Sequence, residues 1–260
     1  MKEIDYISMQ HQGLTHVSKH LEFLDGERAN LVSMLESNKG SRSGCLRSLR
    51  SHADASALVS WFGNSDLAAL KQWSYVSAKL QMMLFQLEPK TWYPAYLLLM
   101  PLLSDHEGLI QWFAHNDEMF DTSRADDPAT AEFHGYQALL AIRGEWGALE
   151  DRCHRVIGHS PQKMKKYEID HNFYLALSQH DVSAMKIVLD ELTSPRIAKV
   201  RNVEPAFGFT EKLIATHAVI YAKIAWRHGF CIDIETPWIP AAWLPIDPLP
   251  QYVAPYNFMK

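Results

Sequence analysis

The sequence predicts a mainly α protein: stacked antiparallel helical hairpins finished by a short, extended C-terminal strap rich in proline and aromatic residues. Three observations lead there. Apolar residues recur at steps of three and four through most of the chain. Two segments of like pattern begin 37 residues apart, at His134 and His171, each reading as an apolar helix, a tight polar break and a second, amphipathic helix. Strand–helix alternation of the kind a parallel sheet needs is absent.

The elements follow in order. Leu14, Val17, Leu21 and Leu24 form a helical stripe that Leu31, Met34 and Leu35 resume after Gly26. Lys39, Arg42, Arg47 and Arg50 then read as the solvated start of the next helix. A clearer stripe runs through Leu67, Leu70, Trp73, Val76, Leu80 and Leu84, with Asn64 or Ser65 placed to cap it and Pro89 to end it. "TWYPAYLLLMPLL" is apolar on nearly all sides, so it predicts a short buried helix or a broken one. "HNDEMFDTSRADDPATAEF" reads as a loop, with Asp126 or Asp127 capping the next helix and Pro128 in its first turn. The two look-alike hairpins break at Arg143-Gly144 and His180-Asp181. In "EPAFGFTEKLIATHAVIYAKIAWRHG", Thr210 is the expected cap. Leu213, Ile214, His217, Ile220, Tyr221 and Ile224 line a broad face, and Gly229 stands where a left-handed stop is needed.

The strap begins at Phe230. Phe230, Ile232 and Ile234 alternate with Cys231, Asp233 and Glu235, which is strand periodicity. Pro237, Pro240, Pro245, Pro248, Pro250 and Pro255 then forbid helix and central strand alike. Trp238, Trp243, Tyr252, Tyr256 and Phe258 carry large apolar surface, a liability if left free. The expectation is therefore one helical domain over 1–260, with 230–260 docked on it as a belt; a partner-binding arm is the rival reading.

Composition sets outer bounds. With 47% hydrophobic and 21% charged residues among 260, the chain is ordinary globular protein. Cys45, Cys153 and Cys231 are dispersed and odd in number, which fits thiols in a reducing compartment. "MKEIDYISMQHQGL" lacks the apolar core of a signal peptide. These features predict a cytoplasmic protein without membrane segments. The net charge is −5, but residues 91–140 hold eight acids against Arg124 alone, a local −7. The acids are Asp105, Glu107, Asp117, Glu118, Asp121, Asp126, Asp127 and Glu132. A nucleic-acid binder would show a basic surface instead.

Constellations for chemistry are thin. His16 and His20 have metal-ligand spacing but no third ligand, and "HVSKH" lacks the glutamate of HExxH. Glu168 with His171 forms Glu-x-x-His, the motif of di-iron bundles, and Asp151 with His154 repeats the spacing with aspartate. Glu22, Glu36 and Glu88 fall at helix edges or outer faces, so the inward carboxylates of such a centre are missing. "GSRSG" has arginine where a nucleophilic serine would stand. No Walker loop or GxGxxG occurs. The expectation is a binding protein with no catalytic residue, no metal and no cofactor.

The C-terminal region resembles a known family. "AKIAWRHG", then "FCIDIETPWIP", then "PLPQY" and a closing "PYNF" follow the order of the immunity protein 49 family of bacterial polymorphic toxin systems. The resemblance is strong over roughly the last fifty residues, and the body matches only in being helical and of suitable length. It implies a mostly helical protein that binds and blocks a cognate toxin encoded nearby, by non-catalytic occlusion. Many such toxins are nucleases with basic clefts, which an acidic surface would suit. The partner-binding residues expected on that ground are Asp117, Glu118, Asp121, Asp126 and Asp127. A helical-hairpin adaptor resembling tetratricopeptide-repeat proteins is the alternative, and a di-metal helical enzyme the third.

Overall fold

The computed structural model describes residues 6–88, 95–116, 122–160, 162–201 and 208–259. Among these, all regular structure is helical. Three long helices come first: α1 (Tyr6–Glu36), α2 (Arg42–Asn64) and α3 (Leu67–Leu87). They pack in chain order, α1 on α2 and α2 on α3, through Val17, Leu35, Leu46, Leu49, Leu70 and Leu80, all buried. Gly26 does not interrupt α1, and Ser41 caps α2 by accepting from the Gly44 amide.

The cap of α3 differs from the sequence expectation. Asp66 holds it, accepting from the Ala69 amide, while Ser65 ends α2 in a left-handed conformation with φ 54°. Three cap-competent residues stand in a row, and only the backbone path selects among them. Pro89, expected to end α3, lies outside the described residues.

The described part of the apolar segment is short and buried, and changes helix type within it. A 3-10 turn (Ala95–Leu98) leads into the buried α4 (Leu99–Ser104), followed by α5 (Glu107–His115) and the short α6 (Thr122–Ala125). The two hairpins are then α7 (Ala131–Arg143) with α8 (Trp146–His154), and α9 (Glu168–Ser178) with α10 (Val182–Leu192). Their breaks fall where expected, at Gly144 with φ 71° and at His180 with φ 58°. Glycine meets that backbone without strain; histidine there holds a conformation that L-residues seldom adopt. The cap of α7 is Thr130, accepting from the Phe133 amide, and not Asp126 or Asp127. Pro128 accordingly sits in the preceding turn.

After α11 (Pro195–Arg201) comes α12 (Thr216–Arg227), a largely buried helix, which touches α4, α7 and α10. It starts five residues later than Thr210 as a cap would place it. Thr210 instead begins a turn whose carbonyl accepts from Leu213 and Ile214 amides, and its hydroxyl pairs with Thr216 at 2.7 Å.

The strap is docked on this body. Its first stretch keeps the predicted alternation, with Ile232 and Ile234 buried and Cys231, Asp233 and Glu235 exposed, yet it is not a strand. Alternation reports one-sided burial; a strand also needs a neighbouring backbone, and here side chains take that place. Lys186 Nζ donates to the Asp233 carbonyl at 2.6 Å. Gln72 donates to the Val253 carbonyl and accepts from its amide at 2.8 and 3.0 Å. Trp243, 1% exposed, meets Trp61 and Phe62 edge-on, and Trp238 meets Tyr6.

A buried ionic centre fastens the middle of the strap. Asp105, at the end of α4, is enclosed and lies 2.5 Å from Lys223 Nζ of α12 and 3.1 Å from Lys71 Nζ of α3. The same ammonium groups donate to strap carbonyls, Lys71 to Asp247 and Lys223 to Pro245. Burial lowers Lys223 to about 8, against the pull of Asp105. Three helices and the strap thus share one set of charges that none could bury alone.

Candidate partner-binding face

The acidic segment divides in two when folded. Asp105, Glu107 and Glu132 take cations from the protein itself: Asp105 takes two lysines, Glu107 takes Arg227 at 2.6 Å, and Glu132 takes Arg124 at 2.7 Å. Most of these cations lie outside residues 91–140, so a local charge count overstates the exposed negative charge. Asp117, Glu118 and Asp121 lie outside the described residues. Asp126 and Asp127 are both exposed, on the turn between α6 and α7.

That turn is held by a chain of hydrogen bonds through the protein interior. Arg152 of α8 is buried and stacks on the Phe133 ring, 4.0 Å from its centroid. Its guanidinium donates to Asp126 Oδ1 at 2.8 Å, to the Ala125 carbonyl at 2.5 Å and to Gln137 Oε1 at 2.8 Å. Gln137 Nε2 then faces His171 Nδ1 at 3.1 Å, His171 Nε2 faces His134 Nδ1 at 2.7 Å, and His134 Nε2 faces the Pro128 carbonyl at 3.2 Å. The chain leaves the turn at residues 125–126 and returns to it at 128.

One proton arrangement satisfies every link. Arg152 can only donate, so Gln137 accepts with its oxygen and donates with its nitrogen. His171 must then accept at Nδ1 and donate from Nε2, and His134 does the same onto the Pro128 carbonyl. Both rings are neutral in this arrangement. Burial, the first cause, lowers His134 to about 4 and His171 to about 3. The two histidines that mark equivalent places in the look-alike hairpins therefore bond to each other. His171 has both nitrogens committed, and the Glu168 carboxylate accepts from the Gly158 amide at 3.1 Å, so the Glu-x-x-His pair does not converge on one point. His154 faces Glu150 at 3.6 Å on the helix surface. Among the described residues, no group of three or more His, Cys, Asp or Glu side chains is arranged to hold a metal ion.

Asp126 thus serves the fold and the surface at once. One carboxylate oxygen meets Arg152, and the side chain remains 78% exposed. Asp127 accepts from the Ala129 amide at 2.9 Å and shapes the turn. Arg155 adds a bond to the Asp126 carbonyl at 2.6 Å. A rigid turn of this kind presents its charges at little further entropic cost to a partner.

A family model described as immunity protein 49 matches residues 64–243. The chain belongs to the immunity protein 49 family. The match runs from the end of α2 through all later helices to Trp243. It includes the hairpins, both histidines, the acidic turn and the Lys71–Asp105–Lys223 centre. It stops short of "PLPQY" and "PYNF", so part of the C-terminal resemblance lies beyond it, whereas the helical body carries most of it. No curated protein and no solved structure matches the chain. Among the described residues, no helix of this family member is long and apolar enough to cross a membrane.

Proposed function

We propose that this chain is a single helical domain that binds a cognate bacterial toxin and neutralises it by occlusion, without catalysis, in the cytoplasm of the cell that makes it. Membership of the immunity protein 49 family over residues 64–243 carries this reading. The toxin is encoded nearby and is bound without nucleic acid, membrane or cofactor.

The binding surface is the acidic face formed by Asp117, Glu118, Asp121, Asp126 and Asp127. Its support is twofold. The other three acids of the segment are consumed by internal ion pairs, whereas Asp127 is exposed and Asp126 stays largely exposed while meeting Arg152. The turn bearing Asp126 and Asp127 is anchored from within, so a partner meets it preformed. A toxin with a cationic cleft, such as a nuclease, is the fitting partner, because opposed potentials speed encounter and fix register.

The test is co-expression with the product of the adjacent toxin gene. The two proteins should co-purify, and cells carrying both should survive where cells carrying the toxin alone do not. Failure of the intact protein to bind or protect would overturn the reading.

A further inference from the structure

Between Asp151 and Glu168 the sequence has no acid but carries Arg152, Arg155, Lys163, Lys165 and Lys166. Arg152 is buried and bonded to the acidic turn, whereas Arg155 and the three lysines are exposed. The lysines lie on a 3-10 turn (Gln162–Tyr167) that is held from below. Met164 is buried beneath it, and Arg201, buried and paired with Asp170 at 2.7 Å, donates to the Lys166 carbonyl at 3.2 Å. Among the described residues, neither Lys163 nor Lys165 joins an ion pair. This is spare positive charge on a fixed support.

It adjoins the acidic turn. Lys166 Nζ lies 5.0 Å from the Tyr167 ring centroid, that ring stacks on His134 at 4.5 Å, and His134 Nε2 bonds the Pro128 carbonyl of the turn at 3.2 Å. An interface of ordinary size covers about 800 Å² of each partner, so a protein seated on Asp126 and Asp127 reaches the lysines as well. We propose that, with the acidic turn as the toxin's docking point, Lys163, Lys165 and Lys166 form the other half of the same face and take an acidic patch bordering the toxin's cationic cleft. A uniformly cationic surface would suit the turn and be repelled by the lysines. Nucleic acid would suit the lysines and be repelled by the two aspartates. A surface carrying both signs in the opposite order satisfies both halves, fixes register and turns away basic proteins that lack the acidic patch. A second copy of this chain, rotated about a two-fold axis, carries both signs too; membership of an immunity family favours the toxin.

The experiment titrates the product of the adjacent toxin gene against the full chain at low and high salt. Three forms are compared: the wild type, the Lys163→Glu, Lys165→Glu, Lys166→Glu variant, and a control of equal charge change, Lys19→Glu, Arg28→Glu, Lys39→Glu, at exposed positions on α1 and the turn after it. The lysine variant should bind at least about tenfold more weakly at low salt, with a smaller difference at high salt, and the control should stay within about twofold of wild type. In the wild-type complex the toxin should protect Lys163 and Lys165 from acetylation, a readout that needs no variant. Undiminished affinity in the folded lysine variant, an equal loss in the control, or unprotected lysines in a complex that forms would overturn the proposal and leave the toxin reading standing. Absence of wild-type binding would overturn both. Sedimentation of the chain alone at low salt should show a monomer; a dimer that the lysine variant loses would assign the face to a second copy and overturn the proposal.

Discussion

Asp105 and Arg152 do most to convert chain into surface. Asp105 counts as an acid of the acidic stretch, yet it is enclosed between Lys71 and Lys223 and contributes nothing to the outer face. Nothing local in the sequence reveals this, because its closer cation lies 118 residues away. A lysine inside the apolar run "AVIYAKIAW" was the available signal, since a lysine there must find a buried partner or break the helix face. Asp105→Asn leaves two ammonium groups facing each other, and the expected loss is about 3–5 kcal/mol of unfolding free energy. Urea denaturation measures it, and a loss under 1 kcal/mol would mean the centre is solvated. His134 and His171 give a second prediction. Their folded values lie near 4 and 3, below the ordinary 6.5. An unfolded chain takes up protons from about pH 6.5 downward that the native pair refuses. Stability is thus full above that range and falls on acidification, by up to about 1.4 kcal/mol per pH unit for each ring. Unfolding midpoints at pH 7, 6 and 5 should show a shallower slope in the His134→Gln, His171→Gln double variant; an identical slope would assign the acid sensitivity elsewhere.

Helices were legible wherever a one-sided apolar stripe met an unambiguous break. The hairpin breaks at Gly144 and His180 and the long stripe of α3 are of this kind. Caps were less legible, because Asn64, Ser65 and Asp66, or Asp126, Asp127 and Thr130, all have the chemistry and differ only in backbone path. The strap was legible as apolar and non-helical. Its polar fastening was not, since Gln72, Lys71 and Lys186 stand in for a backbone partner that periodicity cannot name. Removing residues 236–260 strips Trp238, Trp243 and Tyr256 from the core and takes the Asp247 amide from Asp105 and the strap carbonyls from Lys71 and Lys223. The melting temperature should drop sharply or the protein aggregate; an unchanged melting curve would show that the strap contributes nothing to the fold. Thiol accessibility gives an independent check on the same element. Cys231 is exposed on the outward side of the strap, whereas Cys45 and Cys153 are buried and burial pushes Cys153 up to about 12. A thiol reagent should modify one cysteine of three in the native state and all three in denaturant; native modification of two or more would contradict the docked geometry.

At the scale of the molecule, the helical body, the strap and the acidic turn form one argument about partner binding. The buried cluster runs through α1 to α12 and on to Met259, and this continuity is what a single cooperative unfolding transition would reflect. The candidate face was legible as charge concentration but not as geometry. The chain of bonds from Arg152 through Gln137, His171 and His134 joins residues of three helices, and no spacing rule marks it. If the acidic face guides the toxin, association should weaken with salt, because exposed opposed charges are screened within about 8–10 Å at ordinary ionic strength. The fold should tolerate loss of exposed carboxylates, which contribute little to stability. The most direct measurement is titration calorimetry of the adjacent toxin against the wild type and the Asp117→Ala, Glu118→Ala, Asp121→Ala triple variant, at low and high salt. Tight wild-type binding that weakens with salt, together with a folded variant that binds at least about tenfold more weakly at low salt, is expected. Wild-type affinity in the triple variant at both salt concentrations would contradict it.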